Sequence, residues 1–264
     1  MRRVSFDPVV DAYDRARPGY PEALFDTLEA ATRPLTGAEV LEGGAGTGLA
    51  TEALVARGAR VVAFDVGERM LQRITRRAAA ALVVADGNAL PFGEACADLL
   101  CFAQAWHWLD LDGHAQNEAA RVLRPGGWWA GWWSHPRADG DDWFDRYQSR
   151  LEEACDGYDR AQRDIDWGHT LLEGERFEPA RKDVVAWTRR VDLETWLVDE
   201  QSKSYISALD AGDRNALLDE LRKVLRRRFP TGELAVPYET WLWTARVRGS
   251  DARTRGWSTV ADGQ

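Results

Sequence analysis

The acid Glu42 precedes a glycine-rich turn, Gly43-Gly44-Ala45-Gly46-Thr47-Gly48. Without a Cβ, glycine lets the backbone approach a ligand closely and adopt positive φ. The spacing bears on which ligand. A dinucleotide loop of the form G-x-G-x-x-G would place its third glycine at position 49, where Leu49 stands. A phosphate-cradling Walker loop needs Gly-Lys-Ser/Thr, and no lysine precedes Lys182. An acid before the turn suits a cationic ligand and would repel phosphates. Asp65 then ends an apolar run, where a carboxylate can accept hydrogen bonds from two ribose hydroxyls or cap the following helix. Asp86, followed by Gly87, is a second such acid or a turn aspartate. His107 and His135 bring imidazoles that could act as general bases, orient a substrate or simply pack.

The elements that must position these residues follow from the apolar pattern. Short runs, Ala38 to Glu42, Arg60 to Asp65, Leu82 to Asp86, Asp98 to Ala103 and Trp128 to Ser134, alternate with helical periodicity, the signature of a parallel sheet wound with helices. Leu49, Ala53 and Leu54 space a helix that Gly58 stops at its C′ position, and Met70, Leu71 and Ile74 give the next one its inward face. Leu111, Ala115, Ala119, Val122 and Leu123 predict a third helix, closed by Arg124-Pro125-Gly126-Gly127. The strands read as buried on both faces. Order returns at Val184 to Trp187, in a helix carrying Leu217 to Leu225, and in the alternation from Tyr238 to Val247. In this arrangement the glycine turn, Asp65, Asp86 and the segment after the fourth strand all lie at strand carboxyl ends, where open parallel sheets bind ligands.

Three stretches make the pattern specific. Glu42-x-Gly44-x-Gly46-x-Gly48 resembles the first motif of the class I S-adenosylmethionine-dependent methyltransferases. Asp65-Val66-Gly67-Glu68-Arg69-Met70-Leu71 resembles their D-x-S-x-x-M-L, with Gly67 in place of the serine. Ala103-Gln104-Ala105-Trp106-His107-Trp108-Leu109-Asp110 resembles the A-Q-A-x-H-W-F-D of a type 11 branch that includes trans-aconitate methyltransferase-like proteins. Tyr13 to Pro21 and Ser202-Lys203-Ser204-Tyr205 extend the likeness over about residues 5–248.

The resemblance implies a doubly wound, Rossmann-like α/β fold with a seven-stranded, mostly parallel sheet. It implies one methyltransferase domain over 1–250 with an amino-terminal helical lid at 1–34. Residues 135–181, rich in Asp, Arg and Trp and weak in periodicity, depart from the family pattern and read as an inserted substrate segment, and 251–264 read as a tail. S-adenosyl-L-methionine is the implied cofactor, held by Gly44, Ala45, Gly46, Asp65, Val66, Met70, Asp86, Gly87, Gln104 and Ala105, with Tyr13, Arg17 and Tyr20 reaching it from the lid. Glu42 is placed near its ammonium by charge. The implied reaction moves a methyl group to a small organic acceptor, a hydroxyl or a carboxylate; His107 and then His135 are the candidate bases for a hydroxyl, and Arg137 a candidate anchor for a carboxylate. A nicotinamide-dependent oxidoreductase and a non-catalytic cofactor-binding protein are the rival readings.

Thirteen tryptophans suit a dry, aromatic site. Trp106, Trp108, Trp132, Trp133 and Trp143 come from segments near the expected mouth, whereas Trp128, Trp129, Trp187, Trp241 and Trp243 read as structural. A net charge of −9 argues against a nucleic-acid surface. Cys96, Cys101 and Cys155 form neither a CxxC pair nor a zinc spacing, which predicts no metal and fits a reducing cytoplasm. No apolar run is long enough to span a membrane, and the start of the chain has no export signal.

Overall fold

The computed structural model describes residues 19–74, 81–174 and 176–248. The apolar runs become β1 (Glu39–Gly43), β2 (Arg60–Asp65), β3 (Ala81–Val84), β4 (Ala97–Ala103) and β5 (Leu123–Pro136), all parallel. A hairpin of β6 (Arg181–Asp192) and β7 (Glu233–Arg246) completes the sheet, β7 running antiparallel between β5 and β6. The order is β3-β2-β1-β4-β5-β7-β6. It reverses direction between β1 and β4, which opens the crevice where such sheets take ligands.

Alternation along the strands builds two cores. On one face, Val40, Val61, Leu99, Cys101 and Trp132 meet helices α1 (Glu22–Ala31), α2 (Leu49–Ala56) and α3 (Glu68–Ile74). On the other, Leu41, Phe64, Leu100, Phe102, Trp129 and Trp133 meet α4 (His114–Val122). Helix α2 ends as the sequence predicts, with Gly58 at φ +84° just past its last turn. Helix α1 lies in the segment expected as a lid, but Leu24, Phe25 and Leu28 are buried in the first core, so this helix is part of the fold's body. Its apolar positions fall on one helical stripe, and such a stripe is driven against the sheet. Strand β3 also departs from expectation: as the edge strand it has one neighbour, and none of its four residues is fully buried.

The stretch from 135 to 181 contains α5 (Asp142–Ala154) and two 3₁₀ turns, Arg160–Asp164 and His169–Gly174. Helix α5 packs on α6 (Leu193–Gln201), α8 (Ala211–Arg228) and the β6–β7 hairpin to form a third core, with the short α7 (Ser204–Ser207) beside it. Buried here is an ion pair, Arg189 donating to Asp199 over 2.6 Å and to the Tyr238 hydroxyl over 3.2 Å. Removing one member of such a pair strands a charge out of water. Asp199→Ala is therefore expected to cost about 3–5 kcal/mol of stability, read as a lower midpoint in urea denaturation. No helix among the described residues is long and apolar enough to cross a membrane.

Candidate active site

The turn after β1 is built for close approach. Gly44 has φ +63°, and a Cβ added there would overlap the Cβ of Ala105, so the turn sits directly against the segment that follows β4. Asp65, at the end of β2, fixes the turn from the side: its Oδ2 accepts the Gly46 amide at 3.0 Å and its Oδ1 the Gly67 amide at 2.8 Å. An ionised carboxylate has about four acceptor positions, so two remain for a ligand. The Ala45 amide donates to the Phe64 carbonyl at 3.1 Å, which holds the turn against β2.

Glu42 lies deeper than its sequence position suggests. It is fully buried, with Oε2 accepting the Thr51 hydroxyl at 2.6 Å and Oε1 without a partner among the described residues. Burial pushes its pKa up to about 8; the Thr51 bond opposes the rise and the Asp65 charge adds to it. The standing negative charge expected of Glu42 is thus corrected, because at neutral pH the ligand-free protein holds this carboxyl mainly protonated. Since the folded value lies above the unfolded one, the stability it contributes is complete below about pH 4.5 and is lost as pH rises toward 8. Glu42→Gln is expected to flatten the fall in stability between pH 5 and 8, measured as thermal midpoint against pH in the ligand-free protein.

Beyond Asp65, Val66 is 59% exposed while Met70 is buried against Gly67. After β3, Asp86 Oδ1 accepts both the backbone and side-chain N–H of Asn88 at 2.9 Å, the turn role foreseen for it, and Oδ2 remains unused among the described residues. The Asn88 Oδ1 accepts the Asp110 amide at 2.6 Å, and Leu109 lies so close over Gly87 that a Cβ there would meet its Cδ2 at 2.8 Å. Asn88 and Leu109 therefore tie the β3 loop to the β4 segment, pairings no linear spacing reveals.

Gln104 follows β4 at φ +54°, a region that side chains rarely adopt, and its amide donates to the Trp132 carbonyl at 2.8 Å. Such strain persists where surroundings enforce it and often marks a working site. The Gln104 side chain donates to the Tyr20 hydroxyl at 3.4 Å, which puts Tyr20, the one described member of the expected lid contacts, beside Gln104. Tyr13 and Arg17 lie outside the described residues.

His107, in a 3₁₀ turn at Trp106–Trp108, sits among three indoles. Its ring centroid is 4.8 Å from Trp108, 5.6 Å from Trp167 and 6.1 Å from Trp133, and Trp133 Nε1 donates to its Nδ1 at 3.2 Å. Burial lowers its pKa to about 4. Trp167 stacks on Trp133 at 4.9 Å and was not singled out by sequence, since nothing in an irregular segment marks which aromatic turns inward. Its segment is pinned at both sides: Trp106 Nε1 donates to Thr170 Oγ1 at 3.0 Å, Gln116 to the Thr170 carbonyl at 2.7 Å, and Trp243 Nε1 to Asp166 at 2.8 Å. His135, at the far end of β5, is held neutral to about 3 by burial and by the cations Arg137, Arg163 and Lys203. Arg137 is itself paired with Asp164 at 2.9 Å and stacked on Trp241 at 4.5 Å.

The tryptophan assignment needs revision. Trp106 and Trp132 are fully buried in the two sheet cores and Trp143 belongs to the third; Trp133 is also a buried member of the second core, where it meets His107, and only Trp108, 44% exposed, reaches the surface. Adjacent strand residues face opposite ways, so Trp132 meets Tyr20 and Phe25 while Trp133 meets His107.

The arrangement fits an adenosyl sulfonium ligand. A Glu42 oxygen and the buried Thr47 hydroxyl that have no partner among the described residues, the exposed Val66 beside Asp65 and the Gly44 cradle are features that a bound polar ligand with an aromatic base would use.

Comparison with known proteins gives the same direction. Residues 41–130 match the family described as a methyltransferase domain. An uncharacterized methyltransferase of Mycobacterium tuberculosis is 34% identical over 242 residues, covering 90% of this chain and 93% of the relative. A structure assigned as a type II methyltransferase of Anaeromyxobacter dehalogenans superposes with a TM-score of 0.66 at 25% identity, over 88% of this chain and 97% of its own. The fold is shared with a Haemonchus contortus phosphoethanolamine N-methyltransferase in complex with phosphomonomethylethanolamine and S-adenosylhomocysteine, at a TM-score of 0.53 and 15% identity over 93% of this chain and 60% of that one. A glycine turn braced by a strand-end aspartate, on this sheet order and with this likeness, makes the chain a member of the class I S-adenosylmethionine-dependent methyltransferases.

Proposed function

We propose that this enzyme transfers a methyl group to an oxygen of a small organic acceptor bound between the post-β4 segment and residues 135–181. S-adenosylmethionine supplies an electrophilic methyl on a sulfonium. Asp65 holds the ribose hydroxyls through the acceptor positions its two backbone bonds leave open. Val66 and Met70 provide an apolar bed for the adenine, with Asp86 beside its amino group. Gly44, Ala45 and Gly46 let the backbone meet the amino-acid end, above Glu42, and Gly87, Gln104 and Ala105 close the far side. Tyr20 reaches the same place through Gln104, and Tyr13 and Arg17 are assigned to it by their motif alone.

The observation that carries this reading is the Gly44–Ala105 contact, because it brings the cofactor turn and the His107 segment to one point. In-line displacement requires the acceptor oxygen, methyl carbon and sulfur to be collinear, so positioning is the protein's main contribution, within the roughly 7–11 kcal/mol available to proximity. The aromatic wall excludes water, which favours the cancellation of charge as an anion meets a sulfonium. Residues 135–181 supply the part of this wall that selects the acceptor, through Trp167.

Incubation with methyl-labelled S-adenosylmethionine and a panel of small carboxylic acids, phenols, alcohols, amines and activated carbon acids tests the proposal. Label is expected in an ester or ether. Transfer confined to amine or carbon acceptors would contradict it.

A further inference from the structure

The Trp133–His107 contact decides what the imidazole can do. An indole N–H only donates, so the Nδ1 atom that receives it must carry a lone pair and no hydrogen. The neutral ring then has its hydrogen on Nε2, which has no partner among the described residues. A histidine that accepts a proton needs a free lone pair, and the single one here is occupied. Protonating Nδ1 would break the indole bond and place a charge inside a wall of Trp108, Trp133 and Trp167.

Among the described residues, no opposite charge compensates. Trp108 on its own turn, Trp133 on β5 and Trp167 from the insertion are all neutral. The nearest carboxylates in sequence are engaged elsewhere, Asp110 with the Asp112 amide and Asp166 with the Trp243 indole. Lys182 and Arg137 lie over Trp241, and Lys182 is also 5.2 Å from Trp243, the ring that backs Trp133; both are cations, which oppose a charge on His107.

Resting on the function proposed above, we propose that Trp133 is a positioning residue that holds His107 as the Nε2–H tautomer, so that His107 donates a hydrogen bond to an acceptor oxygen already ionised when it enters. The site then selects a carboxylate or a comparably acidic enol over an alcohol. In the transfer, the oxygen–methyl bond forms, the sulfur–methyl bond breaks with its electron pair left on sulfur, and no proton changes hands. The low pKa of His107 agrees with this assignment.

Nitrogen-15 NMR of the full-length protein tests the tautomer without turnover. The protein has four histidines, and His107→Gln assigns the signal. The expected result is Nε2 protonated, Nδ1 unprotonated and no titration between pH 5.5 and 8.5. A hydrogen on Nδ1, or a midpoint between 6 and 7, would overturn the proposal. Trp133→Phe keeps a ring but removes the N–H, and is expected to release His107 into mixed tautomers with a titration visible above pH 5.5; an unchanged His107 signal would show that Trp133 is not the lock. In turnover, kcat/KM for a carboxylate is expected to be flat from pH 6 to 9, with the matching alcohol slower by about 100-fold or more, the order of rate that a missing base costs. A limb with a midpoint of 6 to 7 that vanishes in His107→Gln would again overturn it. Failure to bind S-adenosylhomocysteine strikes the cofactor reading alone, because the imidazole signal is read independently.

Discussion

Gly44→Ala is expected to reduce cofactor affinity by about 100-fold or more, with the protein still able to fold. Two costs coincide at this position. The residue has φ +63°, where an L side chain is strained by roughly 1–2 kcal/mol, and the added methyl would occupy the place of the Ala105 side chain. The turn and the post-β4 segment must separate, and overpacking of this kind costs typically about 1–3 kcal/mol. Calorimetric titration with S-adenosylhomocysteine reads the loss. A second substitution, Ala105→Gly, removes the overlap but not the backbone strain, so Gly44→Ala with Ala105→Gly is expected to regain part of the affinity. Full affinity in the single variant would mean that the turn does not need to lie against Ala105.

Asp65→Ala is the second large effect. The carboxylate anchors the amides of Gly46 and Gly67 and is assigned the ribose hydroxyls. Hydrogen bonds to a charged group contribute about 1.5–3 kcal/mol each. Losing the ribose bonds and the brace together is expected to remove measurable binding of S-adenosylhomocysteine. Asp65→Asn, which keeps one acceptor oxygen, is expected to bind weakly, and Tm to fall by only a few degrees in both because Asp65 is a half-buried residue at the carboxyl end of β2, outside the packed cores. Binding within threefold of wild type in Asp65→Ala would place the ribose elsewhere.

The strands that run buried through the middle of the sheet were legible almost to the residue. Arg60–Asp65 is β2 as read, and β1 and β4 each differ by one position, because a strand covered on both faces leaves a continuous apolar run. The hairpin was harder. Strand β7 begins at Glu233, before Pro237, although proline argues against a central strand. At that point β5 has nearly ended, its last partner being Pro136 against Tyr238, so the absent N–H faces no ladder on that side. Likewise Arg124-Pro125-Gly126-Gly127 reads as a break yet belongs to β5, with an irregular register between Ala97 and Leu99 absorbing it.

In the candidate site, the acids and glycines were legible because their chemistry is written in residue type and in their place at strand ends. What escaped was set by contacts between distant segments. Burial of Glu42 depends on Thr51 one helix away. The Trp133 donation that fixes His107, and the stacking of Trp167, depend on β5 and the insertion converging, which no local pattern encodes. The tryptophans show the same limit: residue type gives the apolar payload, and only the strand's alternation sends Trp132 into the first core and Trp133 to the opposite face, beside His107.

A crystal structure of the protein with S-adenosylhomocysteine tests the central claim most directly. Both ribose hydroxyls should lie within hydrogen-bond distance of the Asp65 carboxylate, the adenine against Val66 and Met70, and the sulfur facing the His107 wall. Ribose density away from Asp65, or a sulfur turned from His107, would contradict the account.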